Sequence, residues 1–537
     1  MSKHSSGIRV SRLVALALIT AATSAAHAQQ AAPRLYRMMQ GGLEVGRETY
    51  LFNDSVITRS VVVPIINYRA DSRTVFNPPG VFRSFETTVF NAAGDTTRAQ
   101  VEVTADGDSL RIHGGRMGAM ETKVLPLRID GVIPGQSVSV IAEAAERAGG
   151  KDTTFHYLAF GGDSTIAIGV HFGSDTVTVS MAGLAATLLR SAGPAAAIDI
   201  PIQRVHAEVW NGQDSLPPLR GLTRPAYDYT APPDAPYTAT DLRIPVRTAG
   251  GDTLSLAGTL TLPKTGRAPY PVVVTVSGSG RQTRDEDLWP LVKDYQPFRQ
   301  IAARLATEGI GVFRFDDRGV GGSTGGQIES TTEDHADEVR QIIAALRARP
   351  DVNGRKIAIL GHSEGGAIGP LVAAGDRALA AVVIMAGPAK SGRDIILDQF
   401  RWGIESNPAL SDSARAAALA GLDDQADKWA GLNKWTRWFD TWDPLQTARK
   451  LHLPVLILQG ALDKQVSPGQ ADTLATAIRA GGDRDVTEIV YPGLNHLFLP
   501  TAGEGWPSEY PALKTVALPQ KLLNDIAGWL RKRLVTP

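Results

Sequence analysis

Residues 356–375 read KIAILGHSEGGAIGPLVAAG, and the fold turns on how Gly361-His362-Ser363-Glu364-Gly365 at its centre is read. Ile357, Ala358, Ile359 and Leu360 form a short apolar run, the pattern of a strand buried on both faces. Ala367 to Ala374 reads as a helix of small residues. A serine between two glycines at a strand-to-helix junction is the pattern of a nucleophile elbow, where the chain turns so sharply that the serine takes an unfavourable φ and ψ. The glycines remove Cβ atoms that would strike the neighbouring strand and helix. Such a turn exposes Ser363 Oγ beside a helix N-terminus, where backbone N–H groups can receive an oxyanion. G-x-S-x-G also arises by chance in a glycine-rich chain, so the partners of the serine decide the matter.

A serine hydroxyl needs a histidine as general base, and that histidine needs a carboxylate to fix its tautomer. On a parallel sheet both should follow strand ends, in the chain order Ser, acid, His. In LPVLILQGALDKQVSP an apolar strand runs through Gly460 to Asp463, which fits the acid; a plain turn aspartate is the competing reading. In VTEIVYPGLNHLF a strand and a Pro-Gly turn lead to His496, which fits the base. His452 opens a strand rather than following one, and His362 is expected to point away from its neighbour Ser363. The oxyanion hole needs two backbone donors: the N–H of Glu364, directly after the nucleophile, and one from the glycine-rich loop Ser277-Gly278-Ser279-Gly280. Ser279 is the first choice there and Gly280 the second. No G-K-[ST] or G-x-G-x-x-G follows, which weakens a phosphate-binding reading of this loop.

The surroundings repeat the alternation of strand and helix. YPVVVTVSGSG, GVFRFDDRG, LAAVVIMAGP, HLPVLILQG and VTEIVYPG read as strands, and TLSLAGTLTLP (Thr253–Pro263) as an antiparallel pair of edge strands. Ala336, Val339, Ile342, Ile343 and Leu346 fall at helical spacing, with Thr332 as the expected N-cap and Glu333 and Asp334 in the first turn. QKLLNDIAGWLRKRL closes the chain as an amphipathic helix. This pattern predicts a doubly wound, mostly parallel sheet covered on both faces, over residues 238–537. Between Pro388 and Leu453 no buried strand appears, and Trp402, Trp429, Trp435, Trp438 and Trp442 crowd the segment. Residues 389–450 therefore read as a helical cap, its tryptophans packing the cap or lining an acyl pocket.

Upstream the chain changes character. Residues 29–210 alternate in short stretches such as ETYLFN, SVITRSVVV and DTVTVSM, divided by turns such as Ala93-Gly94-Asp95, and predict an antiparallel sandwich or open barrel. His113, His156, His171 and His206 are scattered there without metal-ligand spacing. Six prolines between Asn211 and Tyr237 mark residues 211–237 as a linker. At the start, Lys3, Arg9 and Arg12, the apolar run LVALALI and Ala26-His27-Ala28 have the form of a signal peptide over residues 1–28, so the protein is expected to be exported, to the periplasm or beyond, without stable membrane insertion afterwards. Lys+Arg and Asp+Glu both number 55, with no basic run, which argues against a nucleic-acid partner. There are no cysteines, so disulfides, thiolate catalysis and cysteine metal sites are excluded.

Taken in order, VSGSGRQTRDED, FRFDDRGVGGS, ILGHSEGG, LQGALDKQV and YPGLNHLF resemble the α/β-hydrolase superfamily, and within it the bacterial carboxylesterases of the EstD type, from about Asp241 to Leu534. The resemblance implies a triad of Ser363, Asp463 and His496, activity on small-molecule esters with short to medium acyl groups, and neither metal nor organic cofactor. It also implies that Arg284, Asp285 and the turn from Asp316 to Gly321 shape the active-site loops. Where that family often carries Pro-Gln after Gly-Ser-Gly, this chain has Arg281-Gln282. Rival expectations are a serine peptidase related to prolyl oligopeptidases, an acyl thioesterase, and a non-catalytic binding protein on a relict hydrolase fold. The resemblance leaves the amino-terminal β region unexplained; it stands as a candidate binding module for a lipid, a glycan or a cell-surface component.

Overall fold

The computed structural model describes residues 33–40, 43–53, 55–63, 68–77, 81–90, 96–106, 109–116, 119–125, 129–133, 137–159, 165–181, 184–189, 197–200, 205–210, 227–280, 282–288, 291–325, 330–405, 412–431 and 434–536. The expected signal peptide and residues 211–226 of the expected linker lie outside the described residues.

The carboxyl-terminal half is built on an eight-stranded sheet. In chain order its strands are β1 (Tyr237–Arg247), β2 (Thr253–Pro263), β3 (Tyr270–Val276), β4 (Gly311–Phe315), β5 (Val352–His362), β6 (Ala381–Met385), β7 (Val455–Gly460) and β8 (Val486–Tyr491). In space they run β1-β2-β4-β3-β5-β6-β7-β8. β1 and β2 pair antiparallel, as do β2 and β4, and every other pairing is parallel. Every residue of β4, β6 and β7 is buried, as continuous apolar strands covered on both faces require. The stretch Thr253–Pro263, expected to fold back as two edge strands, is one strand inside the sheet. It has no turn residue at its middle except Gly258, and that glycine is needed for close approach: a Cβ there would lie 2.7 Å from the carbonyl oxygen of Arg314.

Helices cover this sheet: α1 (Pro297–Ala306), α2 (Thr332–Arg347), α3 (Gly365–Ala373), then after the cap α9 (Gly469–Ala480) and α10 (Gln520–Leu534). The apolar stripe Ala336, Val339, Ile342, Ile343, Leu346 of α2 is fully buried against β-strand residues such as Val274 and Ile359. Each of its larger side chains contributes about 1.5–3 kcal/mol by leaving water. The N-cap of α2 is Thr331, one residue before the expected Thr332. Thr331 has the extended backbone a cap requires and forms a capping box with Asp334, accepting its N–H at 3.2 Å while the Asp334 carboxylate accepts the N–H of Thr331 at 2.8 Å. Thr332 is the first helical residue, and its hydroxyl donates to Glu364 Oε1 at 2.6 Å. Between β6 and β7 lie α4 (Gly392–Glu405), α5 (Asp412–Ala420), α6 (Leu422–Ala430), α7 (Lys434–Thr441) and α8 (Pro444–Ala448), all in the region expected to be a helical cap.

Charge is buried in the loops above this sheet. Arg314 on β4, 1% exposed, forms an ion pair with fully buried Asp285. Arg284 grips Asp316 through Nε at 3.1 Å and Nη2 at 2.7 Å. Removing one member of a buried pair strands the other, so Arg314→Met is expected to lower the unfolding free energy by about 3–5 kcal/mol. Urea denaturation checks this, and Arg314→Met with Asp285→Leu should recover much of the loss.

The amino-terminal half is one continuous fifteen-stranded sheet. Strands from Arg34–Gln40 to Ala119–Leu125 form one flank, and those from Gly131–Ile133 to Val205–Val209 the other. The flanks join where Arg34–Gln40 pairs antiparallel with Val205–Val209, Met38 opposite Ala207. Within this sheet only Gly131–Ile133 against Thr153–Ala159 is parallel. The helix Ser139–Ala148 begins on the carboxylate of buried Glu48, which accepts the N–H groups of Val138 and Ser139 at 2.9 and 3.1 Å. Of the histidines here, His171 and His206 pair with Asp152 and Asp199 at 2.6 and 2.7 Å.

Candidate active site

β5 delivers Ser363. The strand ends at His362, α3 starts at Gly365, and Ser363 between them has φ +54°. That left-handed conformation is costly for a residue with a Cβ and persists only where surrounding structure enforces it. Two contacts enforce it here. Ser363 N–H donates to the carbonyl of Met385 on β6 at 2.9 Å, and Gly366 N–H donates to the carbonyl of Ser363 at 2.8 Å. The glycines are obligatory: a Cβ on Gly365 would overlap the carbonyl oxygen of Val276 and lie 2.8 Å from that of Ser277, and a Cβ on Gly361 would overlap Gly365.

β7 delivers Asp463 and the loop after β8 delivers His496, both nearly fully buried. His496 Nδ1 and Asp463 Oδ2 are 2.7 Å apart. The aspartate is held in turn: Oδ2 accepts Gln459 Nε2 at 2.9 Å, and Oδ1 accepts the N–H groups of Gln465 and Val466 at 2.8 and 2.9 Å. A carboxylate so saturated is a fixed acceptor, which selects the His496 tautomer carrying its proton on Nδ1 and leaves Nε2 as the basic nitrogen. Among the described residues Ser363 Oγ makes no hydrogen bond, so the predicted serine–histidine link is not closed in this structure.

The loop after β3 passes directly over the serine. A Cβ added to Gly278 would lie 3.1 Å from Ser363 Cβ and 3.6 Å from its Oγ. The N–H of Gly278 is committed to Glu286 Oε1 at 2.7 Å. Among the described residues neither the N–H of Ser279 nor that of Glu364 is taken by a protein acceptor, so both expected oxyanion donors are available. Gly280, the second choice, has φ +100°.

Ser279, Gly280 and Glu364 border a cavity of about 490 Å³ whose apolar wall includes Val276, Phe315 and Ile368. Its roof includes Trp435 of α7, whose Nε1–H donates to Glu364 Oε1 at 2.8 Å. Trp435 thus lines the cavity, while Trp429 packs edge-on against it and Trp438 stacks on Trp442. Asp317 and Glu338 also line the cavity. Burial pushes the Asp317 carboxyl well above the usual range, against hydrogen bonds from Gln282 N–H and Ser277 Oγ and reinforced by Glu364 and Glu338. Glu338 is raised by burial too, despite Arg318 Nη2 at 2.6 Å.

Of the residues expected from sequence, Ser279, Gly280 and Glu364 line the cavity, Asp463 and His496 are paired, and Ser363 lies beside the Gly278 loop; His362, next to Ser363, touches the carbonyl of His496. Sequence reasoning missed His362 and Glu286. His362 does point away from the cavity, but into a role: Nδ1 lies 2.8 Å from Glu286 Oε1 and Nε2 lies 2.9 Å from the carbonyl oxygen of His496. The run Arg284-Asp285-Glu286-Asp287 looks like a solvated charge cluster, yet all four residues are buried.

Comparison with known proteins finds a family match, a sequence relative and similar solved structures. The family described as "Serine aminopeptidase, S33" matches residues 291–411, which include Ser363 but stop short of Asp463 and His496. Esterase EstD of Thermotoga maritima is 28% identical over 284 residues, 52% of this chain and 66% of the relative, so the match spans just under two thirds of that protein. Among solved structures, the Pyrococcus furiosus esterase Pf2001 aligns at 13% identity and a TM-score of 0.39, covering 57% of this chain and 95% of its own. Est1E of Butyrivibrio proteoclasticus, solved with ferulic acid, aligns at 16% identity and a TM-score of 0.37, covering 54% and 98%.

Proposed function

We propose that this chain is an α/β-hydrolase, a serine hydrolase cleaving carboxylic esters of short to medium acyl length, a reading supported by the family match over residues 291–411, the similarity to Esterase EstD and the mostly parallel sheet. The observation that carries this reading is Ser363 at φ +54°, at the head of α3. This reading is further supported by the absence of a hydrogen bond to Ser363 Oγ, by the uncommitted N–H groups of Ser279 and Glu364 among the described residues, and by the His496–Asp463 pair.

On this reading His496 Nε2 takes the proton of Ser363 as Oγ attacks the ester carbonyl. The N–H groups of Ser279 and Glu364 hold the tetrahedral oxyanion. Asp463 stabilises the imidazolium, which then protonates the departing alkoxide. Water, deprotonated the same way, attacks the acyl-enzyme and releases the acid. The apolar wall of the cavity suits an acyl chain, and its volume suits a short one.

A serine peptidase is the second reading, favoured by the aminopeptidase description of the matching family. Rates on p-nitrophenyl esters from acetate to decanoate, set against aminoacyl-proline amides, decide between them. Faster cleavage of the amides would overturn the ester reading.

Trp435 joins the cap to the residue that supplies an oxyanion donor. Trp435→Phe keeps an aromatic roof but removes the hydrogen bond to Glu364, and is expected to raise KM for p-nitrophenyl butyrate about three- to tenfold, the equivalent of one hydrogen bond. Steady-state kinetics check this.

The division at residues 29–210, 211–237 and 238–537, with a cap over 389–450, is part of the same proposal. It is supported by the separate hydrogen bonding of the two sheets. Export rests on residues 1–28, and no described helix is long and apolar enough to cross a membrane. A binding role for the amino-terminal sheet is compatible with its polar groove, lined by residues including Thr58, Asp71, Arg73 and Glu86.

A further inference from the structure

Beneath the proposed triad lies a second histidine–carboxylate pair that the reaction does not consume. We propose that His362 and Glu286 are positioning residues: a buried imidazolium–carboxylate pair that locks the oxyanion loop and the loop of the general base onto the nucleophile elbow. The inference rests on the serine-hydrolase reading above.

The geometry is specific. Glu286 Oε1 accepts the N–H of Gly278 at 2.7 Å and lies 2.8 Å from His362 Nδ1. His362 Nε2 lies 2.9 Å from the carbonyl oxygen of His496. A carbonyl has no proton to give, so Nε2 carries one, and the bond from Nδ1 to the carboxylate supplies the second. Both residues are nearly fully buried, where a charged pair holds its geometry tightly. Gly278 precedes the donor residue Ser279, His362 precedes Ser363, and His496 is the proposed base. One ion pair therefore fixes the three segments whose mutual distances set the rate.

Backbone strain gathers at the same place. Glu286 has φ +56° and Phe498, whose ring edge meets the His362 ring, also has φ +56°. A glutamate gains nothing from that conformation unless its side chain must reach a fixed target. Holding Gly278 N–H on Glu286 also withdraws it from the oxyanion, leaving Ser279 as the loop donor.

The pair makes activity sensitive to alkali. The ionisable groups facing His362 are Glu286, His496 and Asp463, and Glu286 also helps to raise the buried Tyr295 phenol. Burial disfavours the cation, but Glu286, the His496 carbonyl and Asp463 outweigh it and hold His362 above the ordinary imidazole value. Below that raised value both N–H bonds stand. As pH rises through it, His362 loses a proton and one bond goes, so the loops loosen on the alkaline side.

The test uses His362→Gln and Glu286→Gln in the full chain, with p-nitrophenyl butyrate as probe. Both are expected to lower kcat about 10- to 100-fold, the cost of a small misplacement of reacting groups, with KM within about twofold. The alkaline fall in kcat should disappear with the charge. Hydrogen exchange at Gly278 and over residues 494–498 should quicken in both variants. Unchanged kcat, pH profile and exchange would overturn the proposal while leaving the esterase reading intact. Should the wild type cleave no ester, the functional reading fails and exchange alone decides the clamp. Should neither variant fold, the wild-type Gly278 amide decides it: protection must drop as pH rises above neutrality, beyond the intrinsic base-catalysed rate, and constant protection refutes the pair.

Discussion

Ser363→Ala is expected to fold normally and to lose roughly 10⁶-fold in kcat toward p-nitrophenyl esters, with no burst of p-nitrophenol. The two halves of that expectation come from different observations. Stability should hold because Ser363 Oγ makes no hydrogen bond among the described residues, so its removal leaves no partner stranded. Alanine should also tolerate φ +54° about as well as serine, since each places a single unbranched Cβ on the backbone. The backbone bonds at the elbow, Ser363 N–H to Met385 and Gly366 N–H to Ser363, do not involve the side chain. Activity should fall because no other hydroxyl can replace the nucleophile on this turn. What remains should be the effect of binding and the oxyanion donors alone, roughly 10³–10⁴ above water. Thermal unfolding beside stopped-flow kinetics measures both halves. A variant with full activity would remove Ser363 from the mechanism; one that unfolds would show that the elbow depends on the hydroxyl in a way the hydrogen bonding does not reveal.

How much of this was legible in the chain itself follows from what each feature depends on. The positions of Ser363, Asp463 and His496 were readable because each follows the end of a strand, and strand ends are marked by local composition: IAIL before Ser363, VLILQG before Asp463, VTEIVY before His496. Glycines at 361 and 365 were readable because backbone crowding admits nothing else. The N-cap of α2 was misplaced by one residue because Thr331 and Thr332 are equally good caps in isolation, and only Glu364, thirty-two residues on, claims the second hydroxyl. The single strand Thr253–Pro263 was mistaken for two because Gly258 at its middle looks like a turn, whereas its purpose is to let β2 approach Arg314 on β4. The burial of the acidic run after the glycine loop was not legible for a related reason. Asp285, Glu286 and Asp287 would be solvated in any local reading; they are buried because Arg314, His362 and Tyr227, each distant in sequence, meet them. Long-range polar pairing has no sequence period, so it leaves no local trace.

Asp463→Asn separates a triad from a chance neighbouring of histidine and aspartate. Asparagine is nearly the same shape, so packing survives. Its carbonyl can still accept the N–H groups of Gln465 and Val466, now 2.8 and 2.9 Å from Oδ1. That leaves the amide nitrogen facing His496 Nδ1 and Gln459 Nε2, where the carboxylate accepts at 2.7 and 2.9 Å. An amide nitrogen donates, so His496 must accept at Nδ1 and carry its proton on Nε2, the nitrogen that should take the proton from Ser363. The alternative flip keeps the histidine tautomer but turns the amide nitrogen toward two backbone N–H groups, which is worse. In the favoured orientation the base is disabled without being removed, and kcat should fall about 10⁴-fold at neutral pH. Hydroxide can bypass a mis-set base, so the deficit should shrink as pH rises, whereas loss of substrate binding would move KM and leave the pH dependence alone. Kinetics from neutral to strongly alkaline pH measure this. A variant with unaltered kcat would mean that Asp463 only stabilises the turn after β7, and the carboxylate that orients His496 would have to be sought elsewhere.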